Sequence, residues 1–170
     1  MAYVTPGTVA AGDVATAAAW NVLTNDVIDH ESRLAPLAPP RGIMGGTTLA
    51  TAFVTSSTSP TDITGLSVTF TAVASRQYKI SIYATIEPSA AANSRIYIVK
   101  SSTLLCEIPS PRLASPVNTA MTGFAFDTPG AGSVTYKAQV DVTSGTTTVY
   151  ATAQRASIAA RLIVEDIGAA

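Results

Sequence analysis

The sequence is expected to fold as a mainly β protein: an N-terminal arm and a single short α-helix, followed by an antiparallel β-sandwich of jelly-roll type. Three observations lead there. From Thr47 onward, apolar and polar residues alternate with period 2 in run after run. Clusters of Gly, Pro, Ser and Asn separate those runs at even intervals, giving about eight or nine strands, the number and spacing of a sandwich or jelly roll. Only one stretch, Thr16–Leu34, places its apolar residues at three-and-four spacing. The resulting organisation is residues 1–36 as arm and helix, 37–46 as a Pro/Gly-rich linker, and 47–170 as the β-sandwich domain.

Residues 1–15 read as an extended arm punctuated by Pro6, Gly7 and Gly12, with Tyr3, Val4 and Val9 as its apolar side chains. Thr16 suits an N-cap, Val14 can act as a hydrophobic staple, and Pro36 stops the helix. Trp20, Leu23, Val27 and Leu34 share one face, and in a heptad frame His30 joins them. This stripe must be buried, either on the chain's own β domain or on other copies of the helix in a short three-helix bundle. Periodicity alone leaves both open. The segment "APLAPPRGIMGG" that follows has no periodicity and reads as linker.

In the β domain, Thr47–Ser56 is the first expected strand and "TSSTSPTDITG" a loop. Leu66, Val68 and Phe70 alternate next. Tyr78, Ile80, Ile82, Ala84 and Ile86 give the longest clean alternation. Arg95–Lys100 and Thr103–Ile108 are shorter strands, and Pro109, Pro111 and Pro116 hold an irregular connection. Val117–Phe126 ends in two phenylalanines, and Val134–Val140 alternates cleanly. Ser144-Gly145 predicts a hairpin turn into Thr146–Ala153, and Arg161–Ile167 is the last strand. Tyr83, Tyr97 and Val99 fall on faces that alternation exposes, so they are a candidate intersubunit β face.

Composition excludes several functions. With 10 Lys+Arg against 11 Asp+Glu and no basic run, nucleic acid is not an expected partner. No stretch is long and apolar enough for a membrane span, and the start "MAYVTPGTV" lacks the basic and apolar regions of a signal peptide, so folding in the cytoplasm is expected. Cys106, the single cysteine, lies in the apolar run "TLLCEI" and reads as an inert thiol. His30 is the only histidine and belongs to the helix. A nucleophile–base pair or a zinc site in the β domain is therefore not expected, and neither is a cofactor. Glu165 and Asp166 are adjacent and would point to opposite faces of a strand, while Glu87, Glu107, Asp127 and Asp141 stand apart and read as solvated charges. No catalytic residue is assigned.

Two stretches resemble a known group. "AGDVATAAAWNVLTNDVIDHESRL" is similar to the N-terminal segment of many small virion proteins of tailed bacteriophages, through Ala11, Gly12, Thr16, Ala17, Trp20 and Asn21. "RLIVEDIG" resembles the last strand of β-sandwich domains in phage head-fibre, decoration and minor tail proteins, through Leu162, Val164, Glu165, Asp166, Ile167 and Gly168. The order of elements between them is similar too, so the resemblance covers most of the chain.

The resemblance implies a non-enzymatic virion component whose jelly roll associates as a homotrimer. The arm (Tyr3, Val4, Pro6, Val9) would bind the major capsid protein, and the helix (Trp20, Leu23, Val27, His30, Leu34) would form the oligomer or capsid interface. It further implies a place on the virion surface after synthesis in a bacterial cytoplasm. The chain lacks the collagen-like or fibrous shaft of longer tail-fibre relatives, which favours a compact knob on the capsid. Two alternatives stand beside it. One is a minor tail, baseplate or receptor-binding protein. The other, of a different class, is a carbohydrate-binding module that stacks a host glycan on Tyr83, Tyr97 or Tyr150.

Overall fold

Alternating strands bury one face each and so need a second layer to cover it. Among the described residues of the computed structural model, ten strands do this. They are β1 (Gly42–Thr48), β2 (Phe53–Thr55), β3 (Thr61–Ala72), β4 (Arg76–Pro88), β5 (Ser94–Lys100), β6 (Thr103–Pro109), β7 (Thr119–Asp127), β8 (Gly132–Val142), β9 (Thr147–Val149) and β10 (Arg161–Ala169). A one-turn helix, Thr152–Arg155, precedes β10. The structure describes residues 41–111, 117–155 and 158–170, together with Asn21, Asn25 and Val27, which are helical. The remainder of the expected helix and arm lies outside the described residues. The chain divides into two units, Met1–Leu37 and Ala38–Ala170.

All strand pairs are antiparallel. In sheet A, β4 is central: Tyr78–Ile86 pair with β7 on one edge. The other edge is shared end to end by β10, along Arg76–Tyr83, and β9, along Ile86–Pro88. β1 then lies outside β10, and β2 outside β9. Six strands thus fill four positions, β1/β2, β10/β9, β4 and β7. Sheet B runs β3-β8-β5-β6. Of the links between successive positions, only β5 to β6 stays within one sheet. This crossing pattern over two antiparallel layers is a jelly roll.

The core lies between the sheets. Tyr78, Ile80, Ile82, Ala84 and Ile86 of β4 face Leu66, Val68, Ile96, Ile98, Tyr136, Ala138 and Val140 of sheet B, all buried. Each fully buried aliphatic side chain stabilises the fold by about 1.5–3 kcal/mol. Phe70 packs 5.0 Å from Tyr78 and 6.1 Å from Tyr136, centroid to centroid. The Tyr78 hydroxyl accepts from the Val73 amide at 2.9 Å, and the Tyr136 hydroxyl donates to Asp127 at 2.9 Å.

The structure corrects four local expectations. Gly42–Gly46, expected as linker, are strand. The Cβ of an alanine at Gly45 would stand 2.8 Å from Val68 Cγ1, so glycine lets this strand lie close over sheet B. The single strand expected over Thr47–Ser56 is broken after Thr48. There the Leu49 amide bonds to Ala160 and the Leu49 carbonyl accepts from Thr152, which matches the break between β9 and β10. Thr61–Gly65, expected as loop, belong to β3, with a register shift between Asp62 and Ser67. Finally, Ser144-Gly145 does turn, with Gly145 at φ +67, but no hairpin forms: β8 lies in sheet B and β9 in sheet A. The tight hairpin is β5–β6, through Ser101 at φ +55.

Candidate functional site

Each sheet turns one face outward, and cross-strand register identifies its residues. On sheet B the outer face is polar and internally paired. Asp141 of β8 has a fully buried side chain and accepts from Arg95 Nε at 2.9 Å, Arg95 Nη2 at 2.5 Å and the Tyr97 hydroxyl at 2.9 Å. Arg95 also lies 3.8 Å from Glu107. Asp62 accepts from Lys137 Nζ at 2.8 Å and Gln139 Nε2 at 2.7 Å, and the Thr69 and Thr135 hydroxyls bond at 2.8 Å. Burial pushes the Tyr97 phenol well up, and its donation to Asp141 acts in the same direction. The bonds from Lys137 and Gln139 hold the Asp62 carboxyl below its ordinary range, while bonding to Asp141 raises the Arg95 guanidinium.

Two further carboxylates serve the fold at the strand ends. Asp127 pairs with Lys100 at 2.8 Å and takes the Tyr136 hydroxyl. Asp166, at 1% exposure, accepts from Arg76 Nη2 at 2.6 Å, Arg76 Nε at 3.0 Å and the Gly168 amide at 3.0 Å. Burial alone would raise the Asp166 carboxyl, but Arg76 and the Gly168 amide outweigh it and hold it below the usual range. Glu87 accepts from the Tyr150 hydroxyl. The expectation of solvated, isolated carboxylates is thereby corrected for Asp127, Asp141 and Glu87, whose partners come from elsewhere in the chain, while Glu107 lies 3.8 Å from Arg95 across β5 and β6. Among the described residues no group of three or more His, Cys, Asp or Glu is placed to hold a metal ion. No described helix is long and apolar enough to cross a membrane. Cys106 is half-buried on β6.

The outer face of sheet A is different. Register aligns Ile43, Glu165, Lys79 and Phe126 in one row across β1, β10, β4 and β7. The next row is Gly46, Ile163, Ser81 and Phe124, and the next Thr48, Arg161, Tyr83 and Thr122. Ile43 is 69% exposed, Phe124 54% and Phe126 52%. The two phenyl rings meet edge to face at 5.3 Å, and Lys79 Nζ lies 5.5 Å from the Phe124 centroid and 3.9 Å from Glu165. Between them and the β1 edge, Ser81, Tyr83, Arg161 and Ile163 line a shallow depression.

The candidate residues therefore separate. Tyr83 is half-buried on the outer face of sheet A. Tyr97 and Val99 belong to sheet B and are only 5% and 4% exposed, so the expected intersubunit face of Tyr83, Tyr97 and Val99 is not assembled. The chain changes sheet between β4 and β5, and Tyr97 is spent on Asp141. With its ring covered, Tyr97 also offers no stacking platform for a sugar. Val27 is helical and exposed. Trp20, Leu23, His30, Leu34, Tyr3, Val4, Pro6 and Val9 lie outside the described residues. Sequence reasoning missed Ile43, Ile163, Phe124 and Phe126 as a surface. One signal was available in "TGFAFD": small Gly123 and Ala125 alternate with the two phenylalanines, and small residues fit the inner side.

No protein-family model matches the chain, and no curated protein matches its sequence. Solved structures do match in fold. The TNF protein Eiger of S. frugiperda aligns over 78% of this chain and 96% of its own, with 11% identity and a TM-score of 0.52. A structure of infectious bursal disease virus, Gx strain, aligns over 78% of this chain and 37% of its own, with 12% identity and a TM-score of 0.37. The likeness to Eiger is one of fold: both chains are jelly rolls.

Proposed function

We propose that this chain is a structural virion protein of a tailed phage, a capsid decoration or head-fibre protein that binds the assembled capsid surface as a homotrimer. The observation that carries the reading is a jelly roll placed behind an N-terminal segment resembling that of phage virion proteins. In this reading the protein works by binding and catalyses nothing. The stripe Trp20, Leu23, Val27 and Leu34 joins the trimer or the shell, and the arm binds the capsid. A ligand that binds only the assembled shell stabilises it by mass action. The covered Tyr97 ring and the paired carboxylates of sheet B support a scaffold over a sugar-binding or catalytic surface.

Quantitative mass spectrometry of purified particles tests this by copy number against the major capsid protein. The expected result is a number on the scale of the shell subunits. A few copies per particle would place the protein at the tail, baseplate or a unique vertex instead. Absence from particles would overturn the virion reading.

A further inference from the structure

We propose that the outer face of sheet A takes a second copy of this chain, Phe124 of each copy entering the depression that Ser81, Tyr83, Arg161 and Ile163 form on the next. This deepens the self-association in the proposed function and rests on that part of it, not on attachment to particles.

The face is shaped for its own likeness. Phe124 stands up on β7 directly across from the short Ser81 side chain and, with Phe126 and Lys79 against it, is still 54% exposed. One strand further on, Gly46 beside Ile163 leaves that end of the row low. Knob and hollow thus lie on the same face within a few strand spacings, as a repeated copy-to-copy contact requires. The walls of the hollow suit an aromatic ring: Ile163 and Tyr83 offer apolar contact, and Arg161, exposed and cationic, can stack over a phenyl face.

Charge allows the same partner. Lys79, Glu165, Arg161 and Glu87 put both signs of charge on the outward positions of β4 and β10, so no single sign sets like copies against each other. Lys79 and Glu165 lie 3.9 Å apart with opposite charge, so neither presents an uncompensated charge to a second copy. Size fits as well. Four strand positions about 4.8 Å apart and about nine residues rising 3.3 Å each make a face of roughly 600 Å² in projection. With side-chain relief that approaches the ~800 Å² per partner of a standard interface. The outer face of sheet B, equally broad, carries Leu104 as its exposed large apolar side chain among the described residues, set amid polar groups that bond to one another.

The test is the native mass of the full chain by sedimentation equilibrium, for the wild type, Phe124→Asp, Arg161→Glu and Leu104→Asp. Leu104 is the control, 54% exposed on the outer face of sheet B. The expected result is a wild-type oligomer whose dissociation constant rises at least about tenfold in both sheet A variants, as loss of a central aromatic or Arg contact does. Leu104→Asp should keep the wild-type mass. Phe124 and Arg161 are exposed, so both variants should unfold at the wild-type temperature when monomeric. Arg161→Glu gives an independent reading should Phe124→Asp not fold. A wild-type oligomer that survives both substitutions overturns this face while leaving a helix-driven trimer in place. A monomeric wild type overturns self-association altogether. Neither outcome alters the copy-number test.

Discussion

On sheet B, Asp141, Arg95 and Tyr97 close around one another and Lys137 and Gln139 close around Asp62, while on sheet A Phe124, Phe126 and Ile43 stand more than half exposed. Both faces come from alternating strands of one sandwich. The difference teaches that alternation decides only that a residue points away from its neighbours, not whether it meets water. Sheet B pairs its outward Asp62, Arg95, Lys137 and Asp141 internally and exposes Leu104 as its large apolar side chain. Sheet A keeps the apolar Phe124, Phe126 and Ile43, which have little to gain from water, exposed beside Lys79, Glu165 and Arg161.

The largest effect should come from opening the sheet B network. Asp141→Ala leaves the buried Tyr97 hydroxyl without its acceptor and takes from Arg95 the closer of its two carboxylates, and should destabilise the fold by about 2–3 kcal/mol. Urea unfolding would show a lower midpoint at unchanged slope. A loss below about 0.5 kcal/mol, the usual range for surface substitutions, would mean that the network merely decorates the face.

Next comes the side of β7 opposite the phenylalanines. A Cβ at Gly123 would stand 2.3 Å from Ile108 Cδ1, so Gly123→Ala should cost about 1–3 kcal/mol by overpacking. That result would fix the inner side of β7 as closed and its large side chains as necessarily outward. A neutral Gly123→Ala would leave room for the phenylalanines to turn inward and would weaken the contrast between the faces.

A smaller effect separates the faces by pH. The folded pKa of Asp62 is depressed by Lys137 and Gln139, so its contribution is fully present above the unfolded value of about 3.9 and is lost as pH falls through the folded value. Because Asp62 and Lys137 are substantially exposed, the amplitude should stay under about 1 kcal/mol. Asp62→Asn should remove that acid step in unfolding titrations while leaving the native mass unchanged, since Asp62 lies on the outer face of sheet B. A mass change in this variant would assign self-association to the wrong face.

Much of this was legible in the residues, and the failures share a cause. The strand from Tyr78 to Ile86 was plain because one buried face alternates with a polar one. Gly42–Gly46 escaped because glycines carry no side chain to alternate, although a strand uses them where backbones come close. In β5, Ile96, Tyr97, Ile98 and Val99 are all buried, so no period marks which pair is inside. Asp141 looked isolated because its partner Arg95 lies 46 residues away, and only the pairing of β5 with β8 brings them together. Ser144-Gly145 announced a turn correctly, but turn chemistry is silent on which sheet the next strand joins. The outer face of sheet A was hidden for the same reason: Ile43, Ile163 and Phe124 come from strands far apart in sequence, and register alone makes them neighbours.

The contrast between the faces is tested most directly by hydroxyl-radical footprinting of the full chain at high and at low protein concentration. The account predicts that Phe124, Phe126 and Ile163 become protected as concentration rises, while Leu104 on sheet B reacts equally in both. Protection of Leu104 with Phe124 and Phe126 left reactive would contradict it, and would make the paired, polar face the one that meets another copy.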